Sequence, residues 1–376
     1  MKSKPADLAS QEWPLLFVWI TAGIYLVYGS TWAESAPSPF FLLTTLVWVC
    51  TAIMVAAFAV VRHAEVLAAR FGEPYGTMIL TFAVISLEVS MIAALMLSGD
   101  QPSLARDTMY SVVMIVLTLF VGLCLLLGGI KFREQSFNLQ GANSYLAMIL
   151  PLAVIGLVLP NFTKSGVDHG YSFHHAVGLV ILSISIYAVF LLVQTRRYRG
   201  YFRHSHDEAH AHAEATGHEI HSSPHGNATH FLLLLAYIVP VVILSKKLSV
   251  FLGYATAAAG LPIATAGLVV ALLILAPEGL AAIEAAWKNH MQRAVNLLLG
   301  SVLATIGLTI PAALGIGLLT GKPVILGLDE AEITLLLVTQ GLCILTFGQG
   351  RTNMLQGAIH LLLFGVYLFL IFDTEI

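Results

Sequence analysis

The chain has 376 residues, of which 58% are hydrophobic and only 10% are Asp, Glu, Lys or Arg. A soluble domain carries roughly 25% charged residues, so this composition excludes an ordinary water-soluble fold and points to a polytopic membrane protein. The net charge of −3 argues against nucleic acid as a partner and leaves the lipid bilayer as the surrounding medium.

Residues 1–13 hold two lysines and two acids with no small-residue cleavage site after them, which predicts a retained tail. Eleven apolar stretches follow, near 14–30, 39–61, 74–98, 108–130, 144–160, 174–195, 230–247, 262–286, 294–319, 331–348 and 354–372. Charges, prolines or glycines bound each of them, and most are near the ~20 residues needed to cross a bilayer core. The polar segments between them are 62–73, 131–143, 161–173, 196–229 and 320–330, and no soluble domain is expected. Cys50, Cys124 and Cys343 fall in three different apolar stretches, where each reads as a small hydrophobe. The expected fold is all-α, with about 11 transmembrane helices.

Lysine and arginine set the orientation. With the N-terminus inside, 13 of the 18 basic residues fall on the inner side and 5 on the outer, which predicts a cytoplasmic N-terminus and an external C-terminus. In a bacterial cell that membrane is the inner one.

Two of the stretches carry a glutamate in the apolar middle. Gly76–Ser90 aligns with Ala266–Leu280 without a gap, placing Glu88 on Glu278. A charge at that depth costs at least ~2.5–3.5 kcal/mol on insertion scales. Spans 2–6 and 7–11 are then two sets of five, each with its glutamate on the second member. An odd number of helices per set requires opposite insertion, so the division is 1–38 for the tail and first helix, 39–195 for one inverted repeat, 196–229 for a cytoplasmic loop and 230–376 for the second repeat. Such repeats place a substrate site near mid-membrane, and the two glutamates are expected to face each other there. Identity between the halves is otherwise thin.

Around Glu88 stand Ser86 and Ser90; around Glu278 stand Pro277, which frees a backbone carbonyl, and Gly279, which loosens the next turn. Freed carbonyls beside a carboxylate are the oxygen ligands that hard cations take. Further on, Asn296, Ser301 and Thr305 are candidate cation contacts, with Ser301, Thr305 and Thr309 recurring every fourth residue. Packing through hydroxyls bonded back to their own helix is the alternative reading of that stripe. Asp100, Arg106 and Asp107 are expected at the outer boundary as a solvated or paired cluster.

These residues resemble the calcium/cation-proton antiporter family, most closely its bacterial ChaA-type calcium (or sodium, potassium)/proton antiporters. The resemblance is carried by GEPYGTMILTFAVISLEVSMI, RDTMYSVVMIV, LVVALLILAPEGL, QRAVNLLLGSVLATIGLTIP and GRTN at 350–353. It implies an eleven-span exchanger with two inverted repeats and a pair of acidic residues, here Glu88 and Glu278. Where better-studied calcium exchangers have a Gly-Asn-Ala-Thr-Glu-like segment, this chain has Val84-Ile85-Ser86-Leu87-Glu88 and Leu275-Ala276-Pro277-Glu278, which leaves the cation open among Ca²⁺, Na⁺ and K⁺.

The expected function is export of such a cation in exchange for protons. Desolvation favours the protonated carboxyl and a bound cation favours the ionised one, so the two compete for the same oxygens. No resident cofactor is expected, and a homo-oligomer is left open. The loop between the repeats carries His204, His206, His210 and His212 among eight histidines from 204 to 230, a composition that suits a metal- or pH-responsive segment or a solvated linker. A zinc or other divalent-metal carrier with a histidine-rich sensor loop is therefore one alternative, and an uncoupled cation channel is another. No His-Glu-x-x-His helix, Gly-x-Ser-x-Gly elbow or Walker lysine loop is present, so an enzyme is not expected.

Overall fold

The structure, a computed structural model, describes residues 12–34, 38–72, 75–98, 103–163, 171–202, 226–262, 264–322 and 324–372. Among the described residues, eleven helices long and apolar enough to cross a membrane follow one another in the expected order. They are α1 (Trp13–Glu34), α2 (Pro39–Phe71), α3 (Tyr75–Ser98), α4 (Leu104–Phe132), α5 (Leu139–Phe162) and α6 (Phe173–Thr195), then α7 (Asn227–Ala259), α8 (Ala264–Trp287), α9 (Met291–Thr320), α10 (Glu330–Phe347) and α11 (Met354–Phe372). Among the described residues the only strand-like pairing is an isolated bridge between Ser136 and Arg351, so the chain is an all-α integral membrane protein.

Two helices overrun their expected ends. α2 continues past 61 to Phe71 and α7 past 247 to Ala259, giving 33 residues each, about 50 Å at ~1.5 Å per residue. The extension of α2 was expected to be a polar segment, but it keeps a buried face of His63, Ala64 and Leu67. The extension of α7 buries Leu248, Phe251, Leu252 and Thr256, and Lys246 and Lys247 consequently lie inside a helix and not in a connection. A buried helical face carries both helices past their charged residues, and glycines with positive φ, Gly72 at 62° and Gly260 at 63°, end them.

The helices form two compact units, each drawing on both sequence repeats. The first contains α1, α2, α3 and α7. Tyr25 is its buried aromatic centre, edge-on to Trp32, Trp48 and Phe251 at 5.5–5.8 Å, with its hydroxyl donating to Thr45 O at 2.8 Å. At one end of this unit Glu12 ties three helices together. Its Oε1 accepts from Arg62 Nη2 at 2.6 Å and its Oε2 accepts from the Tyr237 hydroxyl at 2.8 Å, with His63 Nε2 at 3.5 Å. Burial works against this carboxylate's charge, yet hydrogen bonds to His63 and Tyr237 and the Arg62 guanidinium outweigh it and hold the pKa below its ordinary 4.5. Behind it, His63 Nδ1 meets His230 Nδ1 at 3.0 Å, and both rings are buried. One nitrogen must donate and the other accept, so this contact holds a single proton. His230, assigned by sequence to the loop histidines, is thus a core residue of α7; His204, His206, His210 and His212 lie outside the described residues.

The second unit contains α4, α5, α6 and α8–α11. α4 and α11 approach closely where Gly122 and Gly129 of one face Gly357 and Met354 of the other; a Cβ on Gly357 would lie 2.4 Å from Leu126 N. A backbone clip joins the connections after α4 and before α11: Thr352 N donates to Gln135 O at 2.9 Å and Phe137 N to Gly350 O at 3.2 Å. The Gly-Arg-Thr-Asn segment therefore has a structural use, with Gly350 at φ 68° supplying the left-handed turn. Cys50, Cys124 and Cys343 are all free thiols, as expected.

Candidate functional site

In the first unit, Gly72 ends α2 at φ 62°, and a Cβ on Gly76 would lie only 2.5 Å from Ala68 O. The α2–α3 connection is therefore tight, and it sets the start of α3. Glu88 lies in mid-α3, 3% exposed. Ser86 falls on an exposed face and donates back to Phe82 O at 2.6 Å, while Ser90 is half-buried. The helix thus separates Ser86 from the buried side that carries Glu88.

In the second unit, Glu278 is half-buried on α8, directly after the buried Pro277. Proline has no N–H, so the carbonyl of Leu273 lacks its helical donor one turn before the carboxylate. Glu278 Oε2 accepts a hydrogen bond from Ser301 Oγ on α9 at 2.5 Å. Gly279 is required by a ring: a Cβ there would lie 2.2, 2.4 and 2.5 Å from three carbons of Phe120 on α4. Phe120 therefore rests on the α8 backbone beside the glutamate.

The two helices that flank this point are both interrupted by a wide π turn, Ile115–Phe120 in α4 and Thr305–Thr309 in α9. Ser301, Thr305 and Thr309 are all buried, but the π turn breaks the even four-residue hydrogen bonding expected there, and Ile310 N reaches back to Thr305 O. π turns inside α-helices are rare and concentrate at functional sites. Asn296 is otherwise occupied: its Nδ2 donates to Phe202 O at 2.7 Å and its Oδ1 accepts from Gln292 Nε2 at 2.9 Å, so the structure joins Ser301 and not Asn296 to Glu278.

The spacing of the duplication extends further than the glutamates. Glu88 and Glu278 lie 190 positions apart, and so do Ser111 and Ser301 and the first residues of the two π turns, Ile115 and Thr305. Ser111 is the residue that the sequence reading missed. Carrying the same offset past the glutamates would have found it. It is buried, donates to Asp107 O at 2.6 Å and accepts from the Tyr367 hydroxyl at 2.6 Å. Nearby, Arg106 and Asp107 are paired, as one of the two expectations had it: Arg106 Nε meets Asp107 Oδ1 at 2.8 Å, and Arg106 Nη1 donates to Gly327 O at 2.9 Å. Asp100 lies outside the described residues. Among the described residues, no group of three or more His, Cys, Asp or Glu side chains is arranged to hold a metal ion.

Among the described residues, eleven membrane helices include a duplicated glutamate-bearing helix, each copy followed by a helix with a π turn at the same repeat position, which defines a polytopic membrane protein with an internal repeat. The profile of the sodium/calcium exchanger protein family matches residues 41–196 and 229–372, and the chain belongs to that family. It is 41% identical over 342 residues to the sodium-potassium/proton antiporter ChaA of Escherichia coli K12, covering 91% of this chain and 92% of that one. With the Ca²⁺/H⁺ antiporter ChaA of Bacillus subtilis 168 it shares 25% identity over 244 residues, covering 64% and 67%. The solved structure of native YfkE has the same fold, with a TM-score of 0.72 at 19% identity over 96% of this chain and 100% of that one.

Proposed function

We propose that this protein is a secondary active antiporter that exports an inorganic cation in exchange for protons, with Glu88 and Glu278 as the groups for which cation and protons compete. The observation that carries the proposal is Glu278: a carboxylate inside a membrane helix, at a proline-broken turn, bonded to the Ser301 hydroxyl. Its repeat mate Glu88 is equally deep in sequence and buried. A buried carboxylate is easier to keep when protonated and, once ionised, needs a counter-cation. Alternate occupancy by protons and cation therefore gives obligatory exchange without any further chemical step. Ser301 and Thr305, with the carbonyl freed by Pro277, are the oxygens proposed to accompany Glu278 in holding the cation, and Ser90 is the one proposed to accompany Glu88.

The cation is Na⁺ or K⁺ in the reading that the more similar relative favours, since its name gives sodium-potassium/proton exchange over 91% of this chain. Calcium is the second reading, favoured by the name of the Bacillus subtilis relative. Operating in a bacterial inner membrane with the N-terminus inside, the protein would move the cation outward against inward protons. Cation-triggered proton release from everted vesicles, titrated separately with Na⁺, K⁺ and Ca²⁺, tests both the exchange and the ion. Glu88→Gln and Glu278→Gln keep shape but cannot trade a proton for a cation, so either should abolish coupled exchange while the protein still inserts. Coupled exchange persisting in Glu278→Gln would overturn the proposal, and cation flux without proton movement would identify a channel instead.

A further inference from the structure

The π turn of α4 leaves one backbone carbonyl without its usual helical donor. In an α-helix the Val121 N–H would bond Leu117 O, four residues back. Here it reaches Val116 O and Thr118 O instead, bypassing Leu117. A bypassed carbonyl in a membrane interior needs another donor. It finds one on α11, where His360 Nδ1 lies 2.7 Å from Leu117 O. A carbonyl can only accept, so Nδ1 carries the hydrogen, and this fixes the ring's orientation. On the other side His360 Nε2 lies 3.0 Å from Thr346 Oγ1 of α10. His360 is 0% exposed and Thr346 1%, so the imidazole is clamped among three helices with both nitrogens engaged.

The same π turn ends at Phe120, the residue whose ring rests on Gly279 beside Glu278. If the turn reverted to α geometry, the residues after it would rotate by about 100° relative to those before it, and Phe120 would leave Gly279.

We propose that His360 is a positioning residue for the cation site: by holding Leu117 O it keeps the α4 π turn in place, and through that turn it keeps Phe120 seated against the helix segment that carries Glu278. The proposal rests on the reading of Glu278 as a cation and proton ligand.

The test is cation-triggered proton release from everted vesicles containing the full-length protein, comparing half-saturating cation concentration with maximal rate. His360→Leu removes the donor and should raise the half-saturating concentration about 10–100-fold, as loss of an outer supporting contact does at a metal site, with the maximal rate within about threefold of wild type. His360→Asn retains an N–H near the Nδ1 position and should recover most of the loss. Phe120→Leu should raise the half-saturating concentration as well with His360 intact, and the double variant should be no worse than the poorer single one. An unchanged half-saturating concentration in His360→Leu would overturn the proposal, as would a His360→Asn no better than His360→Leu, or effects of His360→Leu and Phe120→Leu that multiply. If His360→Leu inserts poorly, His360→Asn and Phe120→Leu decide by the same criteria. Glu278→Gln in the same assay separates the two readings: exchange surviving there removes the site itself, whereas a dead Glu278→Gln beside a normal His360→Leu removes only the positioning role.

Discussion

Gly279→Ala is the smallest perturbation that addresses the site without touching a titratable group. The added Cβ would lie 2.2 Å from the nearest Phe120 ring carbon, where ordinary contact begins at 3.4 Å, so ring or helix must retreat by about 1.2 Å. Two further ring carbons at 2.4 and 2.5 Å mean that the ring cannot escape by a small tilt. Overpacking of this kind costs about 1–3 kcal/mol. Expressed fully in transport, that corresponds to about a 5- to 150-fold loss of exchange at subsaturating cation. The strain and the gap are complementary, so a double-mutant cycle isolates them: Phe120→Leu withdraws the ring and the alanine methyl occupies part of the space. The double variant should exchange better than either single variant, with a coupling of about 1 kcal/mol or more between residues in contact. Proton release from everted vesicles measures the exchange, and thermal stability in detergent measures the strain independently. A Gly279→Ala protein with wild-type exchange and stability would refute the reasoning, and so would a double variant worse than both singles.

Glu12→Gln should destabilise the protein at neutral pH by about 1 kcal/mol, at the low end for a charged hydrogen bond because its partner Arg62 is 46% exposed. Because the folded state holds this carboxyl below 4.5, the stability it contributes is present above that value and is lost as pH falls through the lower folded-state pKa. The stability gap between variant and wild type should therefore close in acid, and a gap that widened there would contradict the assignment. Glu284→Gln should retain most exchange activity, since Glu284 is 64% exposed and bonded to Lys288 on its own helix surface; an inactive Glu284→Gln beside an active Glu278→Gln would mean that the wrong carboxylate was chosen. Deleting 204–225 leaves Gly226 to start α7 and should preserve exchange while altering its dependence on inner pH or added metal; complete loss in a well-inserted deletion would place the loop in the ion path.

Much of this protein is decided locally. Charge density and the length of apolar runs establish eleven membrane helices, because a bilayer imposes a length on any helix that crosses it. The glutamates are legible for the same reason: a carboxylate amid twenty apolar residues is costly wherever the helix packs, and its recurrence after 190 residues needs no coordinates to be seen. The pairing of Arg106 with Asp107 was also within reach, since adjacent opposite charges at a membrane boundary have few other partners. The ends of α2 and α7 were not, because charged residues such as Arg62 and Lys246 fit a helix whose other face is buried, and hydropathy averages over both faces. Nor could sequence choose between Asn296 and Ser301 as the partner of Glu278. Both are polar residues on one helix, and the choice was made by Phe202 and Gln292, which occupy the amide of Asn296. The π turns, the His63–His230 contact and the bond from His360 to Leu117 lie furthest from the sequence. The two histidine contacts place a ring of one helix against a ring 167 or a backbone carbonyl 243 residues away, partners that exist only once the helices have packed.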